Sequence, residues 1–473
     1  MKKQILFFFA IALSLVAKPQ SITGTWQGLL TVGAQKLRLV FHVRADSDGR
    51  YLSTFDSPDQ AAFGLPCSET QVKGDSIEMI IKTINGGYRG QWDHADRISG
   101  NFFQNGAQFS TPLARSTDTA AKVIVRPQTP KPPFPYKSED LEYDDPATGN
   151  HYGATLTLPP GAGPFPAAIL ITGSGQQDRD ETLFGHKPFA VIADYLTRRG
   201  YAILRVDDRQ MGRSTGDVAK ATTRDFANDV EVSFRELRKR KDVNPSKIGL
   251  IGHSEGGLIA DMVAAENKDV DFIIMLAGPG LKGIDLLSLQ QEAILRSNGT
   301  PPEIAEAFKN GSLGIMQAVI SSPDTSRQMQ AAWTSFTSWK NSTPPEVTRA
   351  LGYHGDSSAK IFVQQQVEGL NKPWMRYFLQ TDPADYISKL HCKVLSLNGS
   401  RDVQVVPDQN QAAIREALKK SSVTNATVEK LDGLNHLFQH CKTCVTTEYG
   451  QLEETFAPEA LQIMGDWLDK NVK

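Results

Sequence analysis

The stretch Lys247-Ile-Gly-Leu-Ile-Gly-His-Ser-Glu-Gly-Gly257 decides how the chain is read. Residues 248–251 are an apolar run of strand length. They pass directly into Gly252-His-Ser-Glu-Gly256, and the helix-prone segment 258–266 follows. In a strand–turn–helix setting the pattern G-x-S-x-G has a physical meaning. The serine sits on a sharp turn, a side chain at either glycine would strike neighbouring backbone, and the hydroxyl is pushed above the sheet edge. Short Gly/Ser patterns also arise by chance in long chains, so the reading rests on the strand before and the helix after. Ser254 is the expected nucleophile. A serine hydroxyl is weak until a base takes its proton and a third group orients that base, so those parts must lie elsewhere in the chain.

Working outward, the same grammar continues on both sides. Residues 167–172 and 201–206 are buried-strand candidates, 187–199 and 222–241 are helical, and 271–276 and 393–398 are further apolar strands. Segment 154–158 alternates, 426–431 is a last strand candidate, and 412–419 and 458–471 supply later helices. Strands apolar throughout and separated by helices indicate a mostly parallel, doubly wound α/β sheet covered on both faces. Between residues 281 and 389 the strand rhythm stops. This insertion is helix-prone and rich in Gln, Ala, Met and aromatics, and is too long for a plain loop, so a helical lid is expected.

In such sheets the acid and base follow the serine and sit at strand C-terminal ends. Asp402 closes Leu397-Asn-Gly-Ser-Arg-Asp402 just past one strand, and His436 follows the next strand candidate among turn residues. Asp382, Asp385 and Asp408 are rivals for the acid. Two of them fall in the lid, and Asp408 reads as a helix cap after Pro407. His440 competes with His436 but lies beside cysteines, and His253 should point away from the serine next to it. Oxyanion donors are expected from the Glu255 backbone N–H at the start of the following helix. A second should come from Thr172-Gly-Ser-Gly-Gln176, with Ser174 favoured and Gly175 next.

With these pieces in place, residues from about 140 onward resemble the α/β-hydrolases, in particular bacterial carboxylesterases with a G-S-G-x-x-D-R-D-E loop. The matching motifs are Gly173-Ser-Gly-Gln-Gln-Asp-Arg-Asp-Glu181, Arg205-Val-Asp-Asp-Arg-Gln-Met-Gly-Arg-Ser214, Gly252-His-Ser-Glu-Gly-Gly257, Leu397-Asn-Gly-Ser-Arg-Asp402 and Asn435-His436. The resemblance implies esterase-type acyl hydrolysis with Ser254, Asp402 and His436 as triad. Two departures stand out: Gln210 occupies a position where many relatives have glycine, and Thr172-Gly173 stands where many hydrolases have His-Gly. Asp207, Asp208 and Arg209 are expected to brace the loop near the site.

Upstream the pattern differs. Residues 22–115 read as short alternating segments broken by Gly, Asp and Asn, which indicates a small all-β barrel or sandwich, assigned to residues 21–118. Its Trp26, Tyr51, Trp92, Phe102 and Phe103 are expected to be core. Arg-Pro-Gln-Thr-Pro-Lys-Pro-Pro-Phe-Pro-Tyr136 reads as a stiff linker, assigned to residues 119–137, with the hydrolase domain over 138–473. Met1-Lys2-Lys3 followed by an apolar run to Ala17 has the form of a signal peptide over residues 1–20. Export to the periplasm or the extracellular space is therefore expected, with no membrane span after its removal.

The 473 residues carry 51 Lys and Arg against 53 Asp and Glu, a net charge of -2, so nothing electrostatic points to nucleic acid. Four cysteines include Cys441-x-x-Cys444, read as a small disulfide loop or free thiols rather than a metal site, because no second ligand pair accompanies them. Neither a metal nor a cofactor is expected. The leading function is an exported serine hydrolase acting on a small-molecule carboxylic ester. A serine peptidase or amidase of the same fold is the alternative, and a non-catalytic glycan- or lipid-binding protein the alternative from another class.

Overall fold

The computed structural model describes residues 21–32, 35–60, 62–104, 107–116, 125–353 and 355–473. The apolar run read as a signal peptide lies outside these residues. The chain divides into two units, Met1–Val123 and Ile124–Lys473.

The first unit is one antiparallel sheet of ten strands: β1 (Gly24–Val32), β2 (Gln35–Ala45), β3 (Tyr51–Ser57), β4 (Ala62–Pro66), β5 (Glu69–Lys73), β6 (Ser76–Ile81), β7 (Gly86–Trp92), β8 (Arg97–Gln104), β9 (Ala107–Ser110) and β10 (Leu113–Ser116). Their order is β4-β3-β2-β1-β10-β8-β7-β6-β5, with β9 against β8. The two ends of this sheet meet, since the Ser53 and Thr70 hydroxyls are 2.7 Å apart and the Cys67 N–H donates to the Ser53 carbonyl. The sheet thus curls into a barrel around Trp26, Phe41, Phe55, Tyr88, Trp92 and Phe102. Trp26 and Trp92 meet edge to face at 6.5 Å, an arrangement that the ring quadrupoles favour. Tyr51 and Phe103 are only half-buried, a departure from the expected core set.

The second unit opens with a proline-rich strap rather than a free spacer. Arg126 donates to the carbonyls of Phe184 and Gly450, and Gln128 is bonded to the backbone of Thr455 and Phe456. Eight strands follow: β11 (Lys137–Asp144), β12 (His151–Leu158), β13 (Phe165–Ile171), β14 (Ala202–Val206), β15 (Val243–His253), β16 (Phe272–Leu276), β17 (Lys393–Gly399) and β18 (Ala426–Leu431). They lie in the order β11-β12-β14-β13-β15-β16-β17-β18. The β11–β12 and β12–β14 pairs are antiparallel and the rest parallel.

Side-chain alternation along each central strand feeds two separate cores. In β13, Ala167, Ile169 and Ile171 face one layer while Ala168 and Leu170 face the other. The first layer is covered by α2 (Thr223–Arg238), α3 (Glu255–Glu266) and α11 (Pro407–Leu418). The second is covered by α1 (Pro188–Arg198) and α12 (Pro458–Asn471). Between β16 and β17 stand α4 (Gly283–Ser297), α5 (Pro302–Ile320), α6 (Thr325–Ser342), α7 (Pro345–Ala350), α8 (Asp356–Leu370), α9 (Pro373–Gln380) and α10 (Ala384–Ile387). This insertion has its own core around Phe336, which packs on Trp339, Tyr353 and Phe362. No helix among the described residues is long and apolar enough to cross a membrane.

Candidate active site

Ser254 occupies the turn between β15 and α3 with φ 54° and ψ -122°, a left-handed strain that only a tightly held turn sustains. The flanking glycines are sterically required. A Cβ on Gly252 would lie 2.0 Å from the Gly256 carbonyl oxygen, and one on Gly256 would lie 2.2 Å from that of Ile171. The Ser254 N–H donates to Leu276 on β16, which ties the turn to the sheet. Glu255 is the first residue of α3, where a backbone N–H has no intrahelical acceptor.

Asp402 and His436 come from the loops after β17 and β18, and both are 4% exposed. One Asp402 oxygen accepts His436 Nδ1 at 2.8 Å; the other accepts the N–H groups of Gln404 and Val405 at 2.7 and 2.9 Å. The carboxylate is therefore fixed before it fixes the imidazole. Asn435 shapes the base loop by accepting the N–H groups of Leu437 and Gln439. Gly399 lets that loop approach, since a Cβ there would meet the Leu434 carbonyl at 2.2 Å. The rivals are engaged elsewhere. Asp382 accepts the Ala384 N–H, Asp408 pairs with Lys430, and His440 is exposed between Glu454 and Glu459.

The loop after β13 is held by three carboxyl groups. Glu181 accepts the Gly173 N–H at 2.8 Å. Asp208 accepts the Thr172 hydroxyl at 2.7 Å and the Gln177 N–H at 2.8 Å. The Ser174 hydroxyl reaches the Glu255 carboxylate. Burial pushes the Asp208 carboxyl up to about 7, against the opposing hydrogen bonds from Thr172 and Gln177. Gln210 has φ 63°, a backbone conformation that glycine adopts most readily. Asp207 binds Arg179 and Arg209 binds Asp229, so both brace the surrounding loops as expected.

Glu255 does more than its backbone suggests. Its carboxyl is 2% exposed and accepts the Thr223 hydroxyl at 2.7 Å and Trp374 Nε1 at 2.8 Å. Burial raises its pKa, opposed by hydrogen bonds from Thr223, Trp374 and Ser174. Trp374 belongs to α9, so this bond fastens the helical insertion to the residue after Ser254. Beside it opens a pocket of about 470 Å³, walled by Ile171, Val206, Phe226, Val230, Ile259 and Trp374 and bordered by Gly173, Ser174 and Glu255.

The structure thus brings Asp402 and His436 into hydrogen bond, sets Ser254 on its strained turn, and places Ser174, Gly175 and Glu255 on one pocket wall. Sequence reasoning missed Glu181, the imidazole of His253, Trp374 and the Glu255 side chain. Only the quoted G-S-G-x-x-D-R-D-E loop and the His before Ser254 offered a signal for any of them. Cys441 and Cys444 form a disulfide, while Cys67 and Cys392 are free.

Residues 187–310 match the Hydrolase_4 family, described as serine aminopeptidase, S33. The chain is 25% identical over 345 residues to Esterase EstD of Thermotoga maritima, covering 73% of this chain and 67% of that protein. Among solved structures it is similar to the α/β hydrolase GrgF from a Penicillium species, at 16% identity and TM-score 0.43 over 71% of this chain and 99% of the other. It is also similar to the Pyrococcus furiosus esterase Pf2001, at 16% identity and TM-score 0.42 over 72% and 92%. Sheet order and the strand–serine–helix turn give the second unit the α/β-hydrolase fold, within which residues 187–310 match the hydrolase family model.

Proposed function

We propose that this protein hydrolyses carboxylic esters through an acyl-enzyme on Ser254. His436 takes the Ser254 proton as the hydroxyl oxygen bonds to the ester carbonyl carbon. The resulting oxyanion is met by the N–H groups of Glu255 and Ser174, because the neighbouring Gly173 N–H is already given to Glu181. His436 then returns its proton to the departing alkoxide. Water repeats the sequence on the acyl-enzyme, releasing the acid and restoring Ser254. Asp402 holds His436 in the tautomer with Nδ1 protonated, which leaves Nε2 to act as base.

The observation that carries this reading is the 2.8 Å Asp402–His436 bond on the two loops that follow Ser254 in strand order. Similarity to an esterase over most of the chain supports the ester as substrate. The pocket's aliphatic and aromatic walls suit a compact apolar acyl or alcohol group. The apolar N-terminal run supports action outside the cytoplasm.

The test is Ser254→Ala on a p-nitrophenyl ester, together with fluorophosphonate labelling of the wild type. Turnover should vanish with the fold intact, and the probe should attach to Ser254. Undiminished turnover or no labelling sinks the assignment. The aminopeptidase description of the matched family favours amide cleavage as a second reading. Comparing kcat/KM on short esters and aminoacyl amides decides between them.

A further inference from the structure

Glu181 and His253 lie beneath the candidate site and take no part in the chemistry above. Glu181 is 1% exposed and has φ 51°. One of its oxygens accepts both the Gly173 N–H at 2.8 Å and His253 Nδ1 at 2.9 Å. The other ring nitrogen, His253 Nε2, lies 3.0 Å from the backbone carbonyl of His436. Carboxylates and carbonyls only accept, so both ring nitrogens must donate, and His253 is an imidazolium. Burial opposes that charge, but the Glu181 carboxylate outweighs it and holds the His253 pKa above its ordinary value.

The result is one continuous chain of contacts: oxyanion loop, Glu181, His253, backbone of the base. His253 also directly precedes Ser254. Its ring centroid stands 4.8 Å from that of His436, tilted by 46°. Three parts from different strand ends are therefore pinned to a single buried ion pair. We propose that Glu181 and His253 are a positioning pair that fixes the distance between the oxyanion loop and His436. Because its charges cancel, the pair does so without biasing the base. The proposal rests on His436 being the base.

The titratable groups facing His253 are Glu181, His436 and Asp402, and Asp208 faces Glu181. The remaining neighbours are apolar, among them Phe189, Ile192, Leu276, Leu437 and Phe456. Removing one partner breaks the charge balance beside His436, and the two single changes are not equivalent. His253→Gln leaves a carboxylate that favours protonated His436, so the acid limb of the kcat/KM profile should move up by about one pH unit. Glu181→Gln removes the anion, so the same limb should stay in place or move down. The double variant should return the midpoint to that of the wild type. All three should lower kcat by about tenfold or more, with KM changed far less, because the donors and the base lose their mutual registration.

The experiment measures pH profiles on p-nitrophenyl acetate for the four proteins, after fluorophosphonate labelling of the wild type at Ser254. Labelling with an unmoved midpoint in both single variants overturns the pair and leaves the functional reading standing. Absence of labelling overturns the functional reading itself. If kcat falls only in step with melting temperature and no midpoint moves, the residues are merely structural and the proposal fails. Should His253→Gln not fold, Glu181→Gln alone remains decisive: a midpoint shifted up, or wild-type kcat, refutes the proposal.

Discussion

Gly252→Ala adds one methyl group to the motif on which the fold depends. Gly252 does not have a positive φ, so alanine meets no backbone penalty, and any effect must come from space. The added Cβ would lie 2.0 Å from the Gly256 oxygen, 2.2 Å from its carbonyl carbon and 2.6 Å from the Gly257 nitrogen. All three are backbone atoms, which cannot rotate aside. Ordinary contact begins near 3.4 Å, so the first turn of α3 must retreat by about 1.4 Å. Ser254 and the Glu255 N–H ride on that turn. A displacement of about 1 Å at a reacting centre costs on the order of 100-fold in rate, so kcat/KM on a p-nitrophenyl ester should fall at least that far. Overpacking should also cost about 1–3 kcal/mol of stability. Gly369→Ala in α8 is the control: nothing lies within 4 Å, and relief of glycine's chain entropy should stabilise by about 0.5–1 kcal/mol. Steady-state kinetics and thermal unfolding of both variants check the contrast. A Gly252→Ala protein within about threefold of wild-type kcat/KM and with an unchanged melting temperature would refute the reasoning.

Two further outcomes follow from buried polar groups. Trp374→Phe keeps an aromatic ring but removes the N–H given to Glu255. The helical insertion should loosen, and kcat/KM for a bulky ester should drop about tenfold, or about 1.4 kcal/mol, while Ser254 remains reactive to the probe. Among the described residues, Asp261, buried in α3, has no hydrogen-bond partner on either carboxyl oxygen, and burial holds its pKa well above 3.8. The native state keeps a proton that the unfolded chain releases once pH exceeds 3.8, so native stability falls as pH rises above that value. Asp261→Asn has no proton to lose. It should stabilise the protein more at pH 8 than at pH 5 in urea unfolding, by about 1 kcal/mol or more. An equal effect at both pH values would count against a neutral carboxyl at this site.

What the sequence made legible was whatever leaves a local pattern. Residues 426–431 were read as a strand and form β18, and the apolar runs at 167–172 and 271–276 became central parallel strands because both faces of such strands are buried. β11 was missed: Lys-Ser-Glu-Asp-Leu-Glu-Tyr-Asp144 carries the charges of an exposed sheet edge and lacks an apolar run. Segment 154–158 looked half-buried because threonines alternate with apolar residues, yet β12 is buried along nearly its whole length. There Thr157 bonds the Thr197 hydroxyl and Thr155 bonds Asp140, so polar side chains sit inside with partners. β3 to β5 are short and weakly patterned, with Ser53, Asp56 and Ser57 buried in β3, so periodicity did not announce them. Asp402 and His436 were legible as residues at strand ends. The Glu181–His253 bond spans 72 residues and the Trp374–Glu255 bond 119, and no local period encodes either contact.

Those long-range contacts answer a physical difficulty that the sequence motif poses. The loop that the proposed mechanism sets against a negative oxygen is anchored by three carboxyl groups, Glu181, Asp208 and Glu255. A full negative charge about 5 Å from the oxyanion would cost roughly 3 kcal/mol at an effective dielectric constant near 20, comparable to what one N–H donor contributes. Each carboxyl is offset by a different device. Glu181 is countered by the imidazolium of His253 at 2.9 Å. Asp208 is pushed by burial to about 7, so it holds its proton for a substantial fraction of the time near neutral pH. Glu255 has its pKa raised by the same burial, against the hydrogen bonds it accepts from Thr223, Trp374 and Ser174. Carboxyl groups suit the anchoring task because they accept several backbone and hydroxyl donors at once, as the bonds to Gly173, Thr172 and Gln177 show. In the proposed mechanism the loop thus keeps the rigidity of a carboxylate anchor while its surroundings lessen the charge that would oppose the oxyanion.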